Sequence, residues 1–344
     1  MSKATINEVA ELAGVSIKTV SRVVNHEKNV RESTREKVES AISALNYRPN
    51  QSARNLASTR SRLIGLLYED PDTYAIPSAG FVVRMQQGSL KACRSSHYEL
   101  LIHPCDLRKD DVLEEIQSLI HDARPAGVVL AAPLSNMDAI VRTVDSSGTP
   151  FVRLSPGNDE GISLSVATND REVCAEMTRY LASLGHKRIG FIKGDPTHKA
   201  VANRFLGYQD GLRDSDLKFS DRLVASGNNL FESGEFGAAR LLEQTDSPTA
   251  IFAANDDMAA GVIRYADRMR ISVPNDLSVA GFDDVALAQQ VYPMLTTIRQ
   301  PLAAMAELAA DALISAGGSS AESDNVQIVD ATMVIRDSTG PAPT

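Results

Sequence analysis

The sequence predicts a small all-α head joined to a larger α/β body, and three observations carry that prediction. Two capping-box signatures and a tight glycine turn fall at helical spacing within the first 45 residues. Beyond residue 62, short β-branched runs alternate with helical stretches for more than 200 residues, the pattern of parallel, doubly wound sheets. The charge divides at the same place. The first 62 residues hold 11 Lys and Arg against 6 Asp and Glu, a net of +5, whereas the 344-residue chain carries −9 and the remainder therefore −14. A basic head on an acidic body fits a phosphate-binding module joined to a unit with other work.

Within the head, Thr5 with Glu8 three residues later opens a helix whose apolar positions are Ile6, Val9, Ala10 and Ala13. Gly14 ends it, because a tight turn between helices needs a residue that tolerates positive φ. Ser16 then caps a second helix, Ile17 to about Asn25, with Val20, Val23 and Val24 inward. Ser33 with Glu36 predicts the start of a third helix running through Leu45. Three short helices around a tight turn form the helix-turn-helix arrangement, whose second helix enters the DNA major groove. The outward residues of that helix suit the task. Arg22 can bond guanine in bidentate fashion, Lys18 can donate to guanine or phosphate, and Ile17 can touch a thymine methyl. Ser16, Thr19, Ser21 and Asn25 suit phosphate contacts, which fix register without reading sequence. The third helix breaks at Tyr47-Arg48-Pro49, and Asn50 is placed to cap a short helix to about Ser58, too short to be stable alone in water.

In the body, strands are predicted at 63–68, 98–103, 127–131, 151–154, 163–168, 188–192, 222–225, 250–253 and 278–280. Helices are predicted at 112–121, 172–184, 202–212, 235–244, 258–269 and 301–316. Doubly wound sheets bind ligands beyond the carboxyl ends of their strands. The polar pairs found there are Glu69-Asp70, Asp195-Pro196, Asn255-Asp256 and Asp283-Asp284, and acids and amides near an arginine suit the hydroxyls of a sugar. Any of these also serves as a helix cap.

Catalytic readings fare poorly. There is no P-loop, nucleophile elbow or dinucleotide fingerprint, and no His, Asp and Glu spacing fits a metal site, so no enzyme activity, cofactor or metal is predicted. Cys93, Cys105 and Cys174 form no Cys-x-x-Cys pair and read as reduced thiols. With no span-length apolar run and no leader before the first amphipathic helix, the expected location is the cytoplasm. A sugar-binding receptor would need export, and a sugar-processing enzyme an acid–base pair that is not legible.

The head motif is long and specific. The unbroken run from Thr5 through Asn25, with Thr34 to Val38 and Leu45 to Asn50, resembles the lactose/galactose repressor (LacI/GalR) family of transcription regulators. So do Leu184 to Ile192, Arg204 to Tyr208, Pro248 to Met258, Val279 to Asp284 and Leu295 to Pro301, in the same order along the chain. The resemblance implies a DNA-binding head (1–46), a hinge helix (47–60) and an effector-binding, dimerising core (61–340). The core would be two periplasmic-binding-protein-like subdomains, about 61–162 with 293–320 and 163–292 with 321–340. It implies a homodimer on an inverted-repeat operator, with Leu56 wedged into the minor groove. It further implies that Arg204, Asn255 and Asp283 bond the effector, with Tyr68, Asp70 and Ser155 joining them from the first subdomain. Asp170 matches an acidic position at the subdomain crossing. The effector would be a sugar or, as in corepressor-type relatives, a purine or other metabolite. Glu172-Val173-Cys174 replace small residues usual in the family, which predicts an altered cleft mouth.

Overall fold

The computed structural model describes residues 4–24, 30–47, 61–69, 79–157, 162–317 and 326–343, which fall into two compact units, Met1–Ser61 and Arg62–Thr344.

In the first unit, α1 (Ile6–Ala13) is opened by Thr5, whose hydroxyl accepts from the Glu8 amide while the Glu8 carboxylate accepts from the Thr5 amide at 2.6 Å. Two of the amides left open at the helix start are thereby satisfied. Gly14 closes the helix at φ +64°, in the left-handed region, where a side chain would be strained. Helix α2 (Ile17–Val24) begins behind Ser16, whose hydroxyl accepts from the Thr19 amide at 3.2 Å. Val9, Val20, Val23, Val38 and Ala41 close a small core with α3 (Glu32–Ala44). The start of α3 differs from the sequence expectation. Its first turn closes on the Arg31 carbonyl, which accepts from Thr34 and Arg35, so Ser33 already lies inside the helix and caps nothing.

The second unit contains two six-stranded sheets. The first has the order β11-β5-β4-β3-β1-β2, all neighbours parallel. It comprises β1 (Leu63–Glu69), β2 (Glu99–Cys105), β3 (Gly127–Leu130), β4 (Phe151–Leu154), β5 (Ser165–Ala167) and β11 (Val326–Ile328). The second has the order β12-β10-β9-β8-β6-β7, parallel except where β12 joins β10. It comprises β6 (Ile189–Ile192), β7 (Val224–Ala225), β8 (Ala250–Ala253), β9 (Ser278–Asp283), β10 (Thr296–Arg299) and β12 (Thr332–Val334). The helices between them are α4 (Ala79–Ser95), α5 (Val112–Ala123), α6 (Asp138–Ser146), α7 (Asp170–Ser183), α8 (Ala200–Asp214), α9 (Phe231–Leu242), α10 (Asp256–Arg268), α11 (Leu287–Gln290) and α12 (Leu302–Ser315). Central strands such as β3, β4, β6 and β8 are buried throughout, as expected of strands covered by helices on both faces.

The expected subdomain boundaries need correction. Residues 165–167 and 326–328 lie in the first sheet and 296–299 in the second, so the chain crosses between sheets near residues 168–169, 300–301 and 329–331. Here Val329 donates to the Ala167 carbonyl and Ala331 to the Asn169 side chain, both at 2.8–2.9 Å, tying two crossings together.

Close helix contacts depend on glycine. A Cβ on Gly88 of α4 would overlap the backbone carbonyl of Ala303 in α12. Backbone, unlike a flexible side chain, has no easy retreat, so Gly88→Ala should cost about 2 kcal/mol. Chemical denaturation checks this; an unchanged midpoint would mean that the two helices separate without penalty.

Candidate functional site

On α2 the valines turn inward, which leaves the remaining residues facing outward. Ile17 is 50% exposed, Lys18 and Arg22 are exposed, and Thr19 and Ser21 are half-buried. Ser16 and Thr19 share a hydroxyl–hydroxyl bond of 2.9 Å, and the Thr5 hydroxyl is held by Glu8. The exposed residues thus include a donor-rich long side chain and an apolar one at the positions that a groove-reading helix uses. Asn25, Asn50 and Leu56 lie outside the described residues. Arg22→Ala should weaken the preferred duplex by about 1–3 kcal/mol and blur the preference at one base position. Equal weakening on random duplexes, measured by competition, would make Arg22 a phosphate contact instead.

In the second unit a cleft of about 270 Å³ opens between the carboxyl ends of the two sheets. Tyr68 at the end of β1 and Ser155 just past β4 line one side; Arg204 from α8, Asn255 past β8 and Asp283 at the end of β9 line the other. Five of the six residues expected here therefore converge, and Asp70 lies outside the described residues. Glu172–Cys174 are not among the described residues that line the cleft, and Cys174 is fully buried in the core of the second sheet.

The strand-end rule also collects residues whose work is structural. Asp256 is fully buried and accepts from the Val285 amide and the Thr297 hydroxyl. Asp284 turns away to Arg299 at 2.7 Å and Arg336 at 2.5 Å. The two faces are separated by backbone conformation, with Asp283 at φ +111° and Asp284 at φ +53°. Asn255 has both roles. Its Oδ1 accepts from Met258 as the N-cap of α10, and its Nδ2 donates to the Asn229 carbonyl at 2.8 Å.

Arg204 is the central cation. Its Nε donates to Asp170 at 3.2 Å, its Nη1 donates to the Ala254 carbonyl at 2.6 Å, and its guanidinium lies 3.7 Å over the Phe282 ring. Asp283 Oδ1 stands 3.8 Å from Nη1, outside hydrogen-bond reach. Burial pushes the Asp283 carboxyl up to about 7, with Arg204 opposing and Asp170 adding. Burial, helped by Asp283 and Glu232, also raises Asp257 to about 7. His198 is held down to about 4, chiefly by burial, so it is neutral at physiological pH. Phe81 lines the cleft at the end of the segment 74–81 expected there, and Asp257, His198 and Gln300 line it without having been legible in the sequence. Asp257 lies one residue inside a helix start, a position that carries acids in ordinary helices as well.

Comparison with known proteins places this geometry. Residues 5–50 match the family described as bacterial regulatory proteins, lacI family, and residues 178–339 match a periplasmic binding protein-like domain. The chain is 33% identical to the HTH-type transcriptional regulator GalR of Salmonella typhimurium over 339 residues, 97% of this chain and 96% of that one. It is 32% identical to catabolite control protein A of Priestia megaterium, covering 87% of this chain and 88% of the relative. Among solved structures, the lac repressor dimer bound to operator and the anti-inducer ONPF superposes with a TM-score of 0.79 at 26% identity, covering 98% of this chain and all of that one. The CelR–cellobiose complex does so with a TM-score of 0.74 at 26% identity and the same coverage. With the helix-turn-helix head, the paired parallel sheets and the full-length likeness to GalR in agreement, the chain belongs to the lacI family of bacterial regulatory proteins.

Proposed function

We propose that this regulator is a repressor that binds an inverted-repeat operator as a homodimer and releases it when a sugar enters the cleft. The convergence of Arg204, Asn255 and Asp283 beyond the ends of the second sheet, facing Tyr68 and Ser155, carries this reading. A guanidinium donor, a carboxylate acceptor and an amide suit vicinal hydroxyls. The repressor in the lac structure is an operator-bound dimer, and the CelR complex contains cellobiose. In α2, Arg22, Lys18 and Ile17 would read bases, while Ser16, Thr19, Ser21 and Thr5 would position the backbone. Asn25, Asn50 and Leu56 would extend that contact, and Asp70 would complete the cleft. The protein works in the cytoplasm and catalyses nothing.

Sugar binding can shift DNA affinity only by its preference for one arrangement of the subdomains, typically about 1–3 kcal/mol. Asp283→Ala should hold duplexes selected from a random pool as tightly as the parent, yet bind sugar roughly 10- to 100-fold more weakly, because the donors it served lose their partner. Calorimetry and duplex release, read together, test this. Unchanged sugar affinity in the variant would move the site elsewhere.

A further inference from the structure

The cleft carries more information than the presence of a site: its charges and its unmet hydrogen bonds restrict what enters. Among the described residues, two of its acceptors have no donor. They are Asp283 Oδ1 and Gln300 Oε1, on residues only 9% and 2% exposed. Buried acceptors left in this state are costly, and a ligand that donates to them removes the cost.

Among the described lining residues, acids outnumber cations. Glu69, Asp195, Asp257 and Asp283 face the cleft, against Arg204 and a His198 that burial holds neutral. Arg204 is already committed to Asp170 and the Ala254 carbonyl, with one face covered by Phe282. Arg108, which acts on Glu69 from nearby, is paired with Asp106 at 2.9 Å. Burial, then Asp195 and Asp106, raise the Glu69 carboxyl, so the field inside is already hostile to negative charge. Phe81, Val82 and Met85 supply an apolar wall on the side of the first sheet.

We infer that the cleft takes an uncharged, hydroxyl-bearing sugar and excludes the corresponding phosphate ester and uronate. This rests on the sugar-sensing reading above and narrows it. A hydroxyl donates to Asp283 Oδ1 and Gln300 Oε1 and lays the C–H face of its ring on Phe81. A phosphate dianion or a carboxylate offers only acceptors there, and sets its charge among carboxyl groups whose own ionisation burial already opposes, with Arg204, balanced by Asp170, the single charged cation among the described lining residues. Like charges juxtaposed in a recessed cleft give a discrimination of about 100-fold or more.

The test uses the full chain and matched sets of ligands: glucose, galactose, ribose and cellobiose, with glucose 6-phosphate, galactose 6-phosphate, ribose 5-phosphate, glucuronate and galacturonate. Affinities are measured by calorimetry after a thermal-shift screen. The expected result is binding of at least one neutral sugar, with its anionic counterpart weaker by about 100-fold or more. A phosphate ester or uronate that binds as tightly as its neutral parent overturns this inference and leaves the sugar-sensing reading standing. Failure of every sugar in the panel, neutral and anionic, overturns the sugar-sensing reading and this inference with it.

Discussion

Arg204→Ala should lower the stability of the unliganded protein by about 3–5 kcal/mol, the cost of removing one partner from a buried ion pair. Asp170 is 3% exposed and receives hydrogen bonds from Arg204 Nε and the Thr168 hydroxyl. Without the guanidinium its carboxylate keeps one neutral donor and no compensating charge. The same change strips the cation from the Phe282 face and leaves the Ala254 carbonyl without its donor. Chemical denaturation measures the loss. Arg204→Met combined with Asp170→Leu should recover much of the stability, because apolar groups of similar size replace a buried pair at little cost. A loss below 1 kcal/mol in the single variant would mean that water reaches Asp170 and that the pair is not sealed.

The acidic side of the cleft should give the chain a stability that falls from weakly acidic to neutral pH. The Asp257 carboxyl titrates near 3.8 when free, but burial holds its proton up to about 7 in the folded chain. A proton bound more tightly by the folded form stabilises it. That contribution is complete below the free value, declines as pH rises, and is lost above about 7. Asp257→Asn keeps the shape and removes the ionisation. It should therefore match the parent near pH 4 and exceed it by about 2–4 kcal/mol at pH 8, at roughly 1.4 kcal/mol per pKa unit. Melting curves of both proteins across that range decide the matter. A difference independent of pH would show that Asp257 ionises freely in the folded state.

What the sequence disclosed follows from how local the cause is. The box of Thr5 and Glu8, the left-handed Gly14 and the Ser16 cap are each set within four residues, and each stands where the pattern put it. The Ser33 and Glu36 signature failed because the same spacing occurs inside a helix already begun at Glu32. Helix α4 was missed: Gly80 and Gly88, which weaken its helical pattern, serve contacts with Val285 and Ala303 that only the tertiary fold creates. Strands β5, β10 and β11 have three or four residues each, too few for a period to assign them to a sheet. The cleft was legible in part through the strand-end rule, which located Asn255 and Asp283 by their elements, whereas Arg204, inside α8, came only with the family resemblance. The rule could not separate Asp283 from Asp284, because the outcome depends on Arg299 and Arg336, the latter more than fifty residues away. Gln300 was hidden for a similar reason, lying at a crossing whose position depends on the sheet assignment of β10.

The triple crossing between the sheets also bears on how the chain is made. The first sheet needs β11, and α12 packs against its strands β3, β4 and β5. Both are translated after the whole run from β6 to β10 that builds the other sheet. As the polypeptide leaves the ribosome, its earlier half therefore waits with a bare edge at Ser165–Ala167 and an uncovered apolar layer where Leu302, Met305, Ala309 and Leu313 will dock. Domains ordinarily fold in the order in which they are synthesised. Here the second sheet can assemble most of its strands before the first is finished, and the last residues to emerge complete both. A nascent chain halted with residue 300 just outside the ribosome should consequently be open to protease in its N-terminal subdomain while β6, β8 and β9 are already protected.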